Sequence, residues 1–213
     1  MLEDWIPQSA MTFVGELLQL QPQMLYPIEL EGDSIGIQAS DINASLTDLQ
    51  IVFNHVKDNN TPFITQVDGV YYIVLPILDD DIFNLEGHLN ITELKNRISN
   101  FEHVIVHEFT HYLDQVECEQ SSSTDRDEYL NDMNEVRAFL AQALSALNSY
   151  CRCDHRRSLM NLNTYEDFLS FMMTQIFPHA FDNNEWFDHL NRENQSYVCK
   201  TLNQTYKYFK TNQ

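Results

Sequence analysis

The sequence predicts an α+β fold in a single domain, with a small N-terminal sheet and a mainly helical C-terminal half. Three observations carry that expectation. Residues 63 to 78 read as a hairpin, F-I-T-Q-V and V-Y-Y-I-V-L on either side of Asp68-Gly69, a dipeptide suited to a tight turn. From residue 131 onward, apolar residues recur at helical spacing in one segment after another. The 213 residues are 43% hydrophobic and include 13 Phe and 10 Tyr, enough for a core and unlike a disordered acidic chain.

Taken in order, Met11, Val14, Leu17 and Leu18 form a short stripe that predicts a helix over 9 to 20. The alternation in I-E-L-E-G-D-S-I-G-I, 28 to 37, predicts two strands about a Gly-Asp turn. Over 40 to 56, Leu46, Leu49, Val52, Phe53 and Val56 return at helical spacing. Asp41, Ser45 or Thr47 is placed to cap them, so a helix is expected there. The run 70 to 77 is apolar on both faces, which suits a buried strand or an edge strand covered by a ligand. Pro76 argues that its far end is not central in a sheet. Asp79, Asp80 and Asp81 read as a solvated charge run, with a calcium site as the alternative.

Residues 90 to 116 are expected to be mostly helical, Thr92 capping a first segment and Ser99 or Asn100 a second. A polar loop follows over 119 to 128. The next helix, 131 to 150, has Val136, Phe139, Leu140, Ala143, Leu144 and Leu147 along its apolar side. A third covers 164 to 176 and stops at Pro178, with Phe168, Leu169, Met172 and Met173 facing inward. The last runs from 184 to 209 with a break near Asn194.

Charge narrows the partners. A net charge of -20, from 32 acidic against 12 basic residues, repels phosphate backbones and anionic membranes and favours cationic peptides. No nucleic-acid or membrane partner is expected; a protein partner and the oligomeric state stay open. No apolar run approaches the roughly 18 residues of a membrane span, and the start M-L-E-D is unlike a secretory signal. Cys118, Cys151, Cys153 and Cys199 are too few and irregular for a disulfide framework, so a cytoplasmic protein with free thiols is expected. Cys151-x-Cys153-x-His155 reads as thiols at a helix end, with a structural zinc as the alternative, and Arg152, Arg156 and Arg157 form one basic patch. Low Lys and Arg beside abundant Asn and Asp resembles the composition of phage and mobile-element proteins.

The chemistry concentrates in V-I-V-H-E-F-T-H-Y-L-D, 104 to 114. His107 and His111 are four apart, so on a helix both imidazoles address one point and can share a metal. Glu108 beside them can reach a metal-bound water without ligating the ion, the geometry of a zinc hydrolase with a glutamate base. A catalytic zinc takes three protein ligands, and Glu135, 24 residues beyond His111 on the next long helix, is the expected third. Glu117, Glu128, Asp125 and a distant histidine remain alternatives. No glycine-rich phosphate loop or G-x-S-x-G elbow is present, so hydrolase chemistry here is metal chemistry.

H-E-F-T-H followed by Asn134-Glu135 in D-M-N-E-V-R-A-F resembles the glutamate-zincins, the HExxH zinc metallopeptidases to which the thermolysin-like enzymes belong. The likeness covers about 101 to 145. It implies a single zincin-like domain over 1 to 213, zinc held by His107, His111 and Glu135, and peptide-bond hydrolysis with Glu108 as base. It also implies that the strand 70 to 76 aligns an extended peptide. Where that family has an orienting Asp four residues past the third ligand, this chain has Phe139, leaving Asp114 or Asp132 for that task. The metzincin pattern fits less well, because Asp114 and Glu117 stand where it has its glycine and third ligand. His155, His179, His189, Tyr129 and Tyr197 are candidate donors to a developing oxyanion. The alternative function is a catalytically silent zincin-fold binding protein, phage-related in composition.

Overall fold

Asp68 and Gly69 both adopt positive φ, 52° and 82°, the two-residue hairpin geometry that matches the twist of its flanking strands. The expected hairpin is therefore in place, β4 (Phe63–Val67) pairing antiparallel with β5 (Val70–Leu78). The computed structural model describes residues 8–28, 34–55, 62–83, 88–114, 126–151, 161–181 and 186–211. They fall into two compact units, one spanning Ser9–Gln120 and the other formed mainly by Ser121–Gln213. The fold is α+β, with five strands in the first unit and helices in the second.

In the first unit, β1 (Tyr26–Ile28), β2 (Ser34–Gln38) and β3 (Leu49–His55) complete one sheet of order β1-β2-β3-β5-β4. Only β3 and β5 run parallel. The helix expected over 40 to 56 is corrected: a 3-10 turn at Ala39–Asp41 leads to β3. Asn43 closes the intervening turn by accepting from the Ser45 amide at 3.1 Å and hydroxyl at 2.8 Å. Leu49, Ile51, Val52 and Phe53 are all buried, so both faces of β3 are covered and its sequence shows no clean period of two. Its β-branched and aromatic side chains suit that place between two strands.

A second correction concerns the strand 70 to 76. Of the two expectations it is the buried strand and not the edge, because β5 lies between β3 and β4; among the described residues the outer strands are β1 and β4. Pro76 is nonetheless accommodated as expected. Pairing with β4 ends at Val74, and beyond it, among the described residues, β5 keeps its β3 neighbour alone.

Three helices accompany the sheet. The buried face of α1 (Gln8–Leu17) is Ala10, Phe13, Val14 and Leu17, a rotation from the expected stripe that places Phe13 on Phe109, with ring centroids 4.4 Å apart. Helix α2 (Ile91–Asn100) is capped by Asn90 rather than Thr92, its Oδ1 accepting from the amides of Thr92 and Glu93. Neither Ser99 nor Asn100 caps α3 (Glu102–Asp114); Phe101 turns the chain between the two helices. Asp79 accepts from Arg97 at 2.6 Å and from the Asp81 amide at 3.0 Å. The Arg97 guanidinium holds its carboxyl below the usual carboxylate range. Its oxygens are thus engaged within the fold.

Among its described residues the second unit contains helices and no strand. The helix expected at 131 to 150 is α5 (Met133–Tyr150); a short helix, α4 (Arg126–Asn131), precedes it across Asp132 and begins within the stretch expected to be a loop. Asp132 Oδ1 accepts from the Asn134 amide at 2.8 Å and caps the second helix. Every residue from Leu140 to Leu147 is buried, and the small residues among them let α5 be packed on all sides. Helix α6 (Tyr165–Phe171) begins at the Thr164 cap. It does not end before Pro178: a π-turn at Met172–Ile176 passes into α7 (Phe177–Ala180), because the widened turn tolerates the missing proline N–H. The last segment breaks at 190 and 191, earlier than expected, between α8 (Trp186–His189) and α9 (Arg192–Thr211). Phe139, Phe177, Phe181 and Trp186 pack edge-on or tilted with centroids 5.1 to 5.6 Å apart.

Candidate metal centre

Helix α3 has no solvent face over its central turns, since every residue from Ile105 to His111 is buried. An aromatic chain aims it: Phe109 stacks on Phe13, Tyr112 is tilted against Phe109 at 5.4 Å, and Tyr71 of β5 meets Tyr112 edge-on at 5.3 Å. Tyr112 Oη also donates to Asp48 Oδ1 at 2.7 Å, just before β3. With Phe109 and Tyr112 committed to the sheet side, the histidines are turned elsewhere.

The two rings lie 73° apart in plane, and His107 Nε2 stands 3.1 Å from His111 Nε2. Two nitrogens bound tetrahedrally at zinc's usual bond length sit about 3.3 Å apart, so the pair is spaced to share one small cation. His107, His111 and Glu135 are each at most 6% exposed, and one ligand atom from each lies within 4.8 Å of the other two. This buried His-His-Glu group can hold a metal ion. Two imidazoles and a carboxylate suit zinc, and also ferrous iron. Glu108, likewise 6% exposed, follows His107 directly.

Of the expected residues, His107, His111 and Glu135 come together, and Glu108 is buried on the same helix as the two histidines. Asp114 ends α3, whereas Asp132 is occupied in capping α5. Glu128 is exposed on α4 and His179 on α7. Tyr129 packs edge-on against Phe139, and Tyr197 is half-buried on α9. Glu117, Cys118, Asp125, Cys153, Asp154, His155 and the arginine patch lie outside the described residues, while Cys151 and Cys199 are half-buried.

One oriented histidine was not separable by sequence. His189 Nδ1 lies 2.9 Å from Asp127 Oδ1, 62 residues earlier. The carbonyl of His189 accepts from Asn131 Nδ2 at 2.9 Å. No local spacing announces a pair so distant along the chain.

No described helix is long and apolar enough to cross a membrane. No protein-family model, curated protein or solved structure matches this chain.

Proposed function

We propose that this protein is a zinc-dependent peptidase in which His107, His111 and Glu135 hold the ion and Glu108 is the general base. The convergence of three buried donors within 4.8 Å carries the reading. A second buried carboxylate on the helix that supplies two of them supports it. When bound, zinc supplies Lewis acidity, polarising a carbonyl and making water acidic enough to ionise near neutrality.

The chain's own groups do the rest. Glu108 accepts the proton of the attacking water and returns it to the departing amine. Its burial keeps bulk water away, which strengthens each electrostatic contact. Among the candidate oxyanion donors, His189 is the one whose ring is oriented, because Asp127 lies within hydrogen-bond distance of its Nδ1. Strand β4 is an open edge against which α3 packs, so an extended peptide adding to it runs beside the motif helix. Phe63 and Val67, 37% and 46% exposed, offer that peptide apolar contacts.

The test joins elemental analysis to a peptide library read by mass spectrometry, on the wild type and Glu108→Gln. The reading expects about one zinc per chain in both proteins. Glu108→Gln should lose about 10²- to 10⁴-fold in turnover. A zinc-loaded wild type that cleaves no peptide, or a Glu108→Gln variant as active as its parent, would leave a silent centre in a binding protein.

A further inference from the structure

The end of α4, two residues before the helix that carries Glu135, is tied to the start of α9 by a knot of asparagines. Asn131 Nδ2 donates to the carbonyls of Asp127 at 2.7 Å and His189 at 2.9 Å. Its Oδ1 accepts from the Asn191 amide at 2.6 Å and from Asn194 Nδ2 at 3.2 Å. The Asn131 carbonyl also accepts from Asn194 Nδ2, at 2.9 Å. Asn191 Oδ1 in turn accepts from the Asn194 amide at 2.9 Å, and Asn194 is only 3% exposed. One residue further on, Asp132 caps α5, and Glu135 stands in the first turn of that helix.

Packing alone does not call for this arrangement. Apolar side chains of similar volume would fill the same space without the cost of desolvating amides. A polar knot adds direction: its bonds admit one register, where apolar contacts tolerate sliding. The bonds made by Asn131 bear on two functional groups at once. They hold the backbone of His189, and they fix the chain four residues before Glu135.

We propose that Asn131 and Asn194 are positioning residues for the metal centre, their interlock setting where Glu135 and His189 stand. This rests on the reading of Glu135 as a metal ligand. Holding a carboxylate in the orientation that a small cation demands is the work of groups outside the coordination sphere, whose loss typically weakens binding about 10- to 100-fold.

The experiment compares Asn194→Leu and the milder Asn191→Ala with Leu202→Ala, a cavity variant at a fully buried position of the same helix. Three quantities are read: the zinc dissociation constant by chelator competition, the visible spectrum of the cobalt-substituted protein, and the melting midpoint of the metal-free protein. Leu202→Ala should lower the midpoint while keeping zinc affinity within about twofold. Asn194→Leu should weaken zinc by about tenfold or more and alter the cobalt spectrum, and Asn191→Ala should shift both in the same direction by less. Wild-type affinity and spectrum in Asn194→Leu would overturn the inference, as would equal losses in Leu202→Ala. If Asn194→Leu does not fold, Asn191→Ala decides on the same readouts. A wild type that binds no metal would instead sink the metal reading itself, a distinct result.

Discussion

Tyr112 and Asp48, 64 residues apart, are joined by a 2.7 Å hydrogen bond in which the phenol donates to the carboxylate. It pins the helix of the two histidines to the chain entering β3, one residue beyond His111. Burial first, and then the Asp48 carboxylate, push the Tyr112 phenol well above its ordinary range.

Tyr112→Phe should therefore cost about 0.5 to 1 kcal/mol near neutral pH, a charged hydrogen bond discounted because Asp48 is exposed. A group whose pKa is raised by folding contributes fully below its unfolded value, about 10 for tyrosine, and its contribution fades as pH rises through the folded value. Tyr165, pushed up to about 12 mainly by burial, acts in the same sense and stays in both proteins. The stability gap between wild type and Tyr112→Phe should thus close above about pH 10. Urea unfolding at pH 7, 9 and 11 measures it; a gap that widens with pH would contradict the assignment.

Metal removal should destabilise the wild type and leave Glu135→Ala nearly unaffected. An ion that binds only the native state contributes about 2.7 kcal/mol at a hundredfold excess over its dissociation constant. For a chain of this length that corresponds to about 5 to 10 °C. Calorimetry with and without a chelator gives both numbers. An equal chelator-induced shift in Glu135→Ala would show that the ion does not need this carboxylate.

Gly36 permits the close approach of β1 to β2 and β3. A Cβ built there would collide with the Ile28 side chain and lie 2.6 Å from the Ile51 carbonyl oxygen. The second clash is with backbone and cannot be relieved by a rotamer change. Gly36→Ala should cost about 1 to 3 kcal/mol through displacement of the strand. A variant as stable as its parent in urea would mean that the β1 edge yields freely.

Legibility followed the range of the interactions. The hairpin at Asp68-Gly69, the spacing of His107 and His111, and the apolar side of α5 are set within a few residues, and each was readable. Residues 49 to 55 misled because a strand covered on both faces matches helical spacing as well as its own. Thr92 lost the cap to Asn90 by two positions, the usual ambiguity where several cap-competent residues adjoin. Pro178 did not stop its helix, because a π-turn absorbed the missing donor.

By itself the sequence determined the chemistry on offer: two histidines one turn apart, a glutamate beside them, a second glutamate on a later helix, and a strongly acidic chain with few cations. Those are properties of side chains and of local periodicity. Only the tertiary structure decided that β4 rather than β5 is the open edge, that Glu135 joins the histidines, that Asp127 meets His189, and that Asn131 locks to Asn194. Each depends on which of many chemically equivalent partners packing brings within hydrogen-bond or ligand distance, and no local period in the chain encodes that choice.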